Sequence, residues 1–451
     1  MVQPAQRILV IGGGISGLSA AWFMQQQGHD VHVLEAGERA GGNLRTLREE
    51  GYLVEAGPNS TLDSSPGLGQ LIEGLGLQTE RVAPSALARR RFVVRDGQLQ
   101  ALPGSPTAFL STALFSWPAK LRLCAEPFIG RAKNEESIAS FVRRRLGREF
   151  LDYAINPFVS GVYAGDPERL SVQAATAKVY ALEARHGSLI KGGIALMKAR
   201  KSRQLETGPS GTMVSFRHGM QQLTEALAGA LGNRLHCGVQ VDLLRRDEQG
   251  WQVIAGERHW QAQQVILATP APVSARLLAP LAPAASEALA QMVYPQVVSV
   301  SMGFDATQIA HPLDGFGMLM PRCEGIDTLG TLFPSSLFEQ RAPAGKVLLT
   351  SFIGGRLNPV VAQRRDDEIA AQVLADIRPL LGISGEAEKC WVTRWPAAIP
   401  QYELGHLQRL QQIDTALAAL PGLHCRSNWR DGIAVADCIE QARLLAERLS
   451  A

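Results

Sequence analysis

The sequence lacks both an excess of one charge and a long apolar run. It has 45 Lys and Arg against 42 Asp and Glu, which leaves a net charge of +3 over 451 residues. An excess this small excludes nucleic-acid binding through bulk charge. No uninterrupted apolar stretch reaches the roughly 18 residues that a spanning helix needs. The sequence therefore predicts no nucleic-acid partner and no transmembrane segment.

Cysteine is also scarce and scattered. The six cysteines are Cys124, Cys237, Cys323, Cys390, Cys425 and Cys438. None forms a C-x-x-C pair, so neither a metal site nor a disulfide framework is predicted. The first residues lead into a glycine-rich turn after about five apolar residues, whereas an export signal needs a longer apolar core. We expect a cytoplasmic protein, with the cytoplasmic face of the inner membrane as the alternative location.

The N-terminal residues have the pattern of a strand, a helix and a second strand. Residues 7–12 (RILVIG) predict a short buried strand, residues 15–27 place apolar side chains on one helical face, and residues 31–35 (VHVLE) predict another strand. Parallel strands joined by a crossover helix imply a sheet covered on both faces. A chain about three times the usual single-domain length also predicts two or more packed units.

The turn after the first strand carries a dinucleotide-binding pattern. Gly12, Gly14 and Gly17 have the G-x-G-x-x-G spacing. The first glycine allows a tight turn, the second lets the backbone approach a pyrophosphate, and the third lets the helix lie close to the strand. Glu35 follows the second strand, where a carboxylate accepts both ribose hydroxyls. The pattern predicts a bound dinucleotide.

Residues 35–46 (EAGERAGGNLRT) indicate which dinucleotide it is. Arg39 and Arg45 flank the pair Gly41 and Gly42, and two cations beside exposed backbone amides suit a second phosphate. This pattern favours FAD over NAD. The predicted cofactor contacts around these motifs are Ile15, Ser16, Ala36, Arg39, Gly42, Asn43, Leu44, Gly57, Pro58 and Asn59.

The C-terminal segment SNWRDGIAVADCIEQA predicts a third contact with the cofactor. A glycine-led turn opens the last predicted helix, residues 432–449. Free amides at a helix N-terminus favour an electron-rich group such as the flavin edge. The residues predicted to meet the flavin here are Asn428, Gly432, Ile433, Ala434 and Val435.

The predicted fold class is α/β at the N-terminus and α+β overall. We expect an FAD-binding, Rossmann-like doubly wound domain and a substrate domain with a mixed sheet and a helical insertion. The FAD-binding domain is predicted in three parts, residues 1–88, 209–285 and 407–451. Residues 89–208 are the helical insertion for membrane docking and substrate, and residues 286–406 are the substrate-binding domain.

These stretches together resemble the FAD-dependent oxidase superfamily that includes amine oxidases and carotenoid desaturases. Blocks in the middle of the chain, such as NPFVSGVYAGDPERLS (156–171), GFGMLMP (315–321) and WPAAIPQYELGH (395–406), are similar to oxygen-dependent protoporphyrinogen oxidases. The similarity runs in order over nearly the whole chain. It implies six-electron oxidation of a porphyrinogen through FAD, with dioxygen as acceptor and hydrogen peroxide as product.

The resemblance also implies the substrate-binding residues. Arg91 corresponds to the arginine that pairs with a propionate, a role that suits a planar guanidinium, although Arg89 and Arg90 leave the register open by one residue. Val241 corresponds to the position whose backbone meets the adenine, and Ser427 stands where related flavoenzymes often have Gly, so we expect weaker flavin binding there. The remaining implied substrate contacts are Asn59, Gly161, Leu319, Leu332 and Phe352. No acid or base catalyst is assigned.

Residues 107–130 combine apolar and basic side chains in a segment too broken to span a bilayer. Such a segment can lie in the headgroup region of an anionic membrane, and the family resemblance implies that this insertion docks on the membrane. A pair of core helices that covers the pocket is the alternative. The side chains concerned are Phe109, Leu110, Leu114, Phe115, Trp117, Lys120, Leu121, Arg122, Leu123 and Phe128, with Arg131 and Lys133 beyond them.

Other functions and assemblies remain open at this point. Coproporphyrinogen III, with four propionates, is the rival substrate, and it would need further cations such as Arg89, Arg90 or Lys178. A flavin amine oxidase would need an aromatic cage and a water-activating lysine, and no position clearly supplies either. A porphyrin carrier that keeps the fold is a third hypothesis. The sequence leaves the oligomeric state open, with a homodimer among the arrangements considered.

Overall fold

The computed structural model of the protein describes residues 5–202 and 211–450. Its first sheet is five-stranded and parallel, and the first strand lies at its centre, paired with the second strand on one side and a later strand on the other. The first strand is the apolar run RILVI, whose Ile8, Leu9 and Val10 are fully buried. This is the covered parallel sheet that the N-terminal pattern predicts, and the predicted fold class is confirmed.

Runs of strands and runs of helices follow one another along the described part of the chain. The strands are β1 Arg7–Ile11, β2 Asp30–Leu34, β3 Thr46–Glu49, β4 Tyr52–Glu55, β5 Thr61–Asp63, β6 Arg81–Val82, β7 Arg90–Arg95, β8 Gln98–Ala101, β9 Thr212–Phe216, β10 Leu235–His236, β11 Leu243–Asp247, β12 Gly250–Ala255, β13 Arg258–Ala262, β14 Gln264–Leu267, β15 Val297–Asp305, β16 Gly315–Leu319, β17 Thr328–Leu332, β18 Lys346–Gly354, β19 Lys389–Trp395 and β20 Leu423–Cys425. The α-helices are α1 Ile15–Gln26, α2 Pro66–Gly74, α3 Pro106–Ser111, α4 Trp117–Cys124, α5 Ile138–Arg145, α6 Arg148–Phe150, α7 Asn156–Tyr163, α8 Val172–Ala175, α9 Ala177–His186, α10 Leu189–Ser202, α11 Gln221–Leu231, α12 Ala271–Leu278, α13 Pro283–Ala290, α14 Pro334–Leu337, α15 Asp366–Leu381, α16 His406–Leu417 and α17 Val435–Ser450.

The parallel sheet has the order β10-β2-β1-β14-β20, and both of its faces are packed. Successive side chains of a strand point to opposite faces. Ile8 and Val10 accordingly pack with residues of α1, α2, α11 and α17, whereas Leu9 and Ile11 pack with residues of β11–β13, α12, α13 and α16. The strands come from all three segments predicted for the FAD-binding domain, although the domain boundaries themselves stay predictions.

The second large sheet is mixed and has the order β19-β15-β18-β17-β16-β7-β8. One face carries Val298, Val300 and Ile353 and packs on α15. Residues 90–101 contribute β7 and β8 to this sheet, although the sequence analysis assigns them to the helical insertion. They form a hairpin because the apolar run of Phe92, Val93 and Val94 has the pattern of a strand and Asp96 and Gly97 then turn the chain. The helical assignment of these residues is therefore wrong.

The helical region of residues 106–202 contacts this second sheet through α7, which lies against β16 and β17. A small core of their own contains Phe141, Val142 and Val159. Among the described residues, no helix is both long enough and apolar enough to cross a bilayer.

Candidate active site

The glycine turn between β1 and α1 is closed by backbone contacts. A Cβ atom added to Gly17 would lie 1.9 Å from the carbonyl oxygen of Gly12. Gly12 has φ +106°, and a Cβ added there would lie 2.9 Å from the carbonyl oxygen of Ala268, just after β14. Only glycine fits at both positions, because neither site has room for a side chain and one has left-handed backbone. The start of α1 therefore lies in direct contact with the turn.

Gly14 differs from its neighbours because it faces open space. A Cβ added there would meet no atom of the described residues within 4 Å. Gly14 is the N-cap of α1, yet no side chain caps this end and the first helical turn contains no acidic residue. The first turn of α1 therefore supplies no acidic side chain of its own to the positive end of the helix dipole. The space in front of Gly14 fits a pyrophosphate.

A second loop, which contains Gly41 and Gly42, lies against the first. The N–H of Gly41 donates to the carbonyl oxygen of Gly13 at 2.7 Å. A Cβ added to Gly42 would lie 3.2 Å from the Cα of Gly14. The two glycine-rich loops are therefore in contact through the buried Gly13 and Gly41, and Gly14 is half-buried and Gly42 exposed beside them.

The two arginines of the second loop lie near each other. Arg39 donates to the carbonyl oxygens of Ala40 and Gly42 at 3.2 and 3.3 Å. Burial and the charge of Arg45 lower the pKa of Arg39. Within the described part of the chain neither guanidinium forms an ion pair with a carboxylate. Two such cations beside the open end of α1 suit a diphosphate.

Glu35 follows β2 and lies between the glycine turn and the loop after β10. Its carboxylate accepts hydrogen bonds from the N–H of Gly13 at 2.6 Å and from the N–H of Gly37 at 2.8 Å. Its own N–H donates to the carbonyl oxygen of His236, and its carbonyl accepts from the N–H of Val239. The backbone thus holds the carboxylate at the turn, the location expected for ribose recognition.

Val241 lies further along the loop after β10. Its side chain is buried, and its carbonyl oxygen accepts from the Arg276 guanidinium at 3.1 Å. Ala36, on the other side of Glu35, is exposed. Contact of the Val241 backbone with adenine stays a prediction.

The chain around Asn43 and the chain around Gly57 come together next to β19. A Cβ added to Gly57 would lie 1.9 Å from the carbonyl oxygen of Asn43. The indole N–H of Trp395 donates to the carbonyl oxygen of Ala56 at 2.8 Å. This hydrogen bond joins the last residue of β19, in the second sheet, to the segment that contains Gly57, a predicted cofactor contact. The other predicted contacts from these segments are the buried Leu44 and the half-buried Pro58 and Asn59.

The last helix begins later than expected. α17 starts at Val435, and Gly432 has φ +139°, a backbone conformation outside the helical region. The N–H of Gly432 donates to the hydroxyl of Tyr402 at 3.1 Å. The expectation of a free amide at Gly432 is therefore wrong, because a side chain 30 residues away in sequence accepts its hydrogen bond. Ile433 and Ala434 lead into the first turn of α17.

The residues just before this turn are held close together. The hydroxyl of Ser427 lies 3.5 Å from Oδ1 of Asn428, and the carbonyl oxygen of Asn428 accepts from the hydroxyl of Tyr402. Ser427 is almost fully buried. Its effect on flavin affinity stays a prediction.

Leu319, Leu332 and Phe352 stand on adjacent strands of the second sheet. Leu319 lies opposite Gly330, and Phe352 lies opposite Gly330 on its other side, so Leu319, Gly330 and Phe352 form one row across β16, β17 and β18. Leu332, two residues after Gly330, is on the same face. All three apolar side chains are only half-buried. The structure therefore brings the predicted apolar contacts onto one partly open surface.

Gly161 lies against this apolar surface. A Cβ added to it would lie 2.4 Å from Cδ2 of Leu319. The helix α7 approaches β16 closely at this point because Gly161 has no side chain. Gly161 and Leu319 are thus neighbours, as one common site requires.

Arg90 and Arg91 are consecutive residues of β7, so their side chains project from opposite faces of the sheet. Val93 packs with Leu319, and Arg91, two residues earlier, projects from the same face of the sheet. Arg90 projects from the opposite face and forms an ion pair with Asp314 at 2.6 Å. Arg91 is exposed, with Cζ 5.2 Å from the ring centre of Phe316. Strand alternation therefore favours Arg91 over Arg90 as the cation beside the apolar surface.

A model of the family described as flavin containing amine oxidoreductase matches residues 15–450. The chain belongs to this family. It is 36% identical to chloroplastic protoporphyrinogen oxidase of Nicotiana tabacum over 98% of this chain and 85% of that protein. It is 30% identical to coproporphyrinogen III oxidase of Bacillus subtilis over 98% of this chain and 97% of that protein.

Solved structures agree with this assignment. A protein of Exiguobacterium sp. 255-15, provisionally named a protoporphyrinogen oxidase, superimposes with a TM-score of 0.84 over 100% of this chain and 99% of that one, at 25% identity. UDP-galactopyranose mutase in its reduced form superimposes with a TM-score of 0.75 at 17% identity, over 99% of this chain and 94% of that one, which shows a shared fold. The protein is a flavin-containing oxidoreductase, and its cofactor is FAD.

Tyr402 and Trp395 of this flavin-containing oxidoreductase contribute hydrogen bonds to the site, although neither residue is predicted there from the sequence. Both belong to the block WPAAIPQYELGH, so the signal is an aromatic residue with a polar tip that must find a partner when buried. His406 stacks on Tyr402 with ring centres 4.1 Å apart, and burial lowers the pKa of His406 to about 4. A histidine that is neutral at pH 7 agrees with the assignment of no acid–base role.

The basic and apolar segment 107–130 of the oxidoreductase divides between core and surface. Leu110, Trp117, Leu121 and Phe128 are at least half exposed. Three residues predicted on the membrane-facing side are buried instead, and for these the prediction is wrong: Leu114, Phe115 and Lys120. Aromatic stacking and carbonyl acceptors account for two of them, since the ring of Phe115 stacks on Phe150 and the ammonium of Lys120 donates to the carbonyl oxygens of Leu110 and Thr112.

Proposed function

We propose that this flavoenzyme oxidises protoporphyrinogen IX to protoporphyrin IX, with dioxygen as the final acceptor. The observation that carries the proposal is the pairing of a half-buried apolar row with an exposed arginine on one face of the second sheet. A large apolar macrocycle with carboxylate arms needs such a surface and such a cation. The names of the two relatives support a porphyrinogen substrate.

The chain's own residues bind and orient in this reaction. Leu319, Leu332 and Phe352 hold the macrocycle by apolar contact, and Arg91 pairs with a propionate. Gly161 lets the helix α7 lie close to this apolar surface. The glycine turn at Gly14, Glu35 and Arg39 would hold FAD, which would supply the hydride acceptor in each of three cycles, with dioxygen as the final oxidant. Because the pyrrole nitrogens assist loss of hydride from the bridging carbon, the protein mainly has to position that carbon.

Coproporphyrinogen III is the second candidate substrate. It carries two more propionates, and Arg89 is a further exposed arginine close to Arg91 in sequence. The relative from Bacillus subtilis bears the name of this activity. A flavin amine oxidase is the less favoured alternative.

The experiment that tests the proposal compares both porphyrinogens on one enzyme preparation. The growth of porphyrin fluorescence under air is expected to be faster with protoporphyrinogen IX, with peroxide formed alongside and a strong decrease without oxygen. Faster growth with coproporphyrinogen III would select the second candidate. Turnover of neither, in a preparation that holds FAD, would overturn both.

A peripheral membrane contact is part of the proposal. Trp117 and Leu121 lie one turn apart on α4, and Phe128 follows on the next turn, beside α10 with its exposed Met197. The cations Arg131 and Lys133 are exposed nearby in sequence. An interfacial surface of this kind gives reversible binding to anionic lipid. The cytoplasmic location and the homodimer stay predictions.

A further inference from the structure

The loop between β20 and α17, residues 428–432, is bonded at both of its ends to one side chain, that of Tyr402. Within the loop, the indole N–H of Trp429 donates to the carbonyl oxygen of Thr269, and Asp431 pairs with Arg426. The hydroxyl of Tyr402 donates to the carbonyl oxygen of Asn428 at 2.5 Å and accepts from the N–H of Gly432 at 3.1 Å. Asn428 and Gly432 are four residues apart, and a carbonyl and an amide with this spacing can close a turn by bonding to each other. Tyr402 takes both bonds instead.

The backbone of Tyr402 is anchored on the substrate side of the molecule. Its carbonyl oxygen accepts from the N–H of Ser171 at 2.8 Å, and Glu403 forms a bridge with Leu170. The preceding Gln401 donates from its side chain to the carbonyl oxygen of Tyr163, the last residue of α7. This is the helix that places Gly161 against the apolar surface.

The ring of Tyr402 has little freedom to move. The residue is 5% exposed, and its ring stacks on His406. Burial raises the pKa of Tyr402 far above its ordinary value, so the hydroxyl stays protonated and keeps its donor. The rigid phenol of Tyr402 thus links the substrate side of the molecule to the loop that leads into α17.

We propose that Tyr402 is a positioning residue for the flavin, because its hydroxyl keeps the 428–432 loop open and so sets the direction of the N-terminal amides of α17. This inference rests on the flavin site and is independent of which porphyrinogen is oxidised. When the hydroxyl is removed, Asn428 and Gly432 can bond directly, and the amides that follow turn away from the flavin.

The test compares Tyr402→Phe with Tyr294→Phe. Tyr294 is a matched control, because it is also largely buried and its hydroxyl accepts from a backbone amide, that of Ala271 at the start of α12, outside the loop. FAD affinity is measured by titration of the flavin-free protein, and the two-electron reduction potential by equilibration with a reference dye. Loss of two hydrogen bonds predicts an FAD dissociation constant raised about tenfold in Tyr402→Phe.

The potential is expected to become more negative in Tyr402→Phe, since a helix N-terminus stabilises the electron-rich reduced form. In Tyr294→Phe, affinity and potential are expected to remain at the parent values. Equal FAD affinity and potential in Tyr402→Phe and the parent would overturn the proposal, as would equal losses in both variants.

A measurement on the parent protein keeps the proposal testable if Tyr402→Phe does not fold. Hydrogen exchange of the segment around Gly432 is followed in the flavin-free protein. The Gly432 amide is expected to be protected by Tyr402 before any flavin binds. Free exchange at this amide would show that the loop is not held and would overturn the proposal.

Discussion

The cofactor side and the substrate side of the active site respond differently to an added atom. On the cofactor side, a Cβ on Gly17 or on Gly57 would lie 1.9 Å from a backbone carbonyl oxygen. On the substrate side, a Cβ on Gly161 would lie 2.4 Å from the end of the Leu319 side chain. A leucine end can rotate to another rotamer, whereas a carbonyl oxygen moves only with its strand or loop. The cofactor side is therefore defined by backbone and the substrate side by exchangeable side chains.

The largest expected effect comes from Gly17→Ala. The new methyl group overlaps the carbonyl oxygen of Gly12, and separating α1 from β1 is expected to cost more than about 4 kcal/mol of the free energy of unfolding. Gly161→Ala is the matched control, because Leu319 can rotate away at about 1 kcal/mol. Urea unfolding of both variants checks this. Equal stability losses would remove the contrast between the two sides.

The next effect is a pH dependence of stability that originates beneath the cofactor side. Glu55 is buried and accepts from the hydroxyl of Thr46 and the N–H of Met220, both at 2.7 Å. Burial raises the pKa of Glu55 from 4.5 to about 7. The folded state binds this proton more tightly than the unfolded state, so stability is highest below pH 4.5 and falls by roughly 3 kcal/mol as pH rises through 7.

Glu55→Gln is the variant that isolates this contribution, because its side chain stays neutral at every pH. The free energy of unfolding is measured by urea at pH 5 and at pH 8 for the parent and the variant. The parent is expected to lose more stability than the variant between the two values. An identical pH dependence would show that Glu55 is ionised in the folded protein at both.

Gly14→Val separates flavin binding from folding. The space in front of Gly14 is open in the described structure, so the variant is expected to fold with nearly the parent stability. The valine side chain fills the space that the pyrophosphate needs, and FAD affinity is expected to fall by about a hundredfold, or about 2.7 kcal/mol. Flavin content after gel filtration measures the loss. A yellow variant with full flavin would contradict this placement of the cofactor.

Arg91→Ala tests the predicted contact between a propionate and the substrate side of the active site. Loss of a charge-assisted pair with a propionate is expected to lower kcat/KM by about tenfold, with flavin content unchanged. Arg90→Ala is the control, since Arg90 pairs with Asp314 on the opposite face. Steady-state kinetics on both porphyrinogens distinguish the two residues. A larger loss of kcat/KM in Arg90→Ala than in Arg91→Ala would indicate that Arg90 is the arginine that pairs with the propionate.

The smallest expected effect concerns membrane binding. Replacing the exposed Trp117 and Leu121 by Ser is expected to weaken binding to anionic vesicles at every salt concentration, by about 1 kcal/mol or more for each residue. Reversing Arg131 and Lys133 to Glu is expected to weaken it mainly at low salt, at roughly 1 kcal/mol for each charge. Vesicle co-sedimentation checks both. If both variants sediment like the parent, this surface does not contact lipid.

The elements with a local signal are the ones that the sequence predicts well. The βαβ start and the glycine turn have apolar periodicity or glycine spacing within a few residues. The hairpin at residues 90–101 has the same kind of signal, but its place in a sheet with β16 depends on a parallel partner more than 200 residues away. The Gly432 amide, which lies before α17, donates to Tyr402, another distant residue.

By itself, the sequence determines the cofactor class, whereas the apolar substrate surface is implied only by the family resemblance. Glycine spacing and strand patterns are local, because they follow from steric limits on a few consecutive residues. Only the tertiary structure decides that Arg90 pairs with Asp314, that Phe115 and Lys120 are buried, and that Tyr402 accepts from Gly432. Each of these depends on which face of an element is covered by a distant segment, and that is decided by packing of the whole chain.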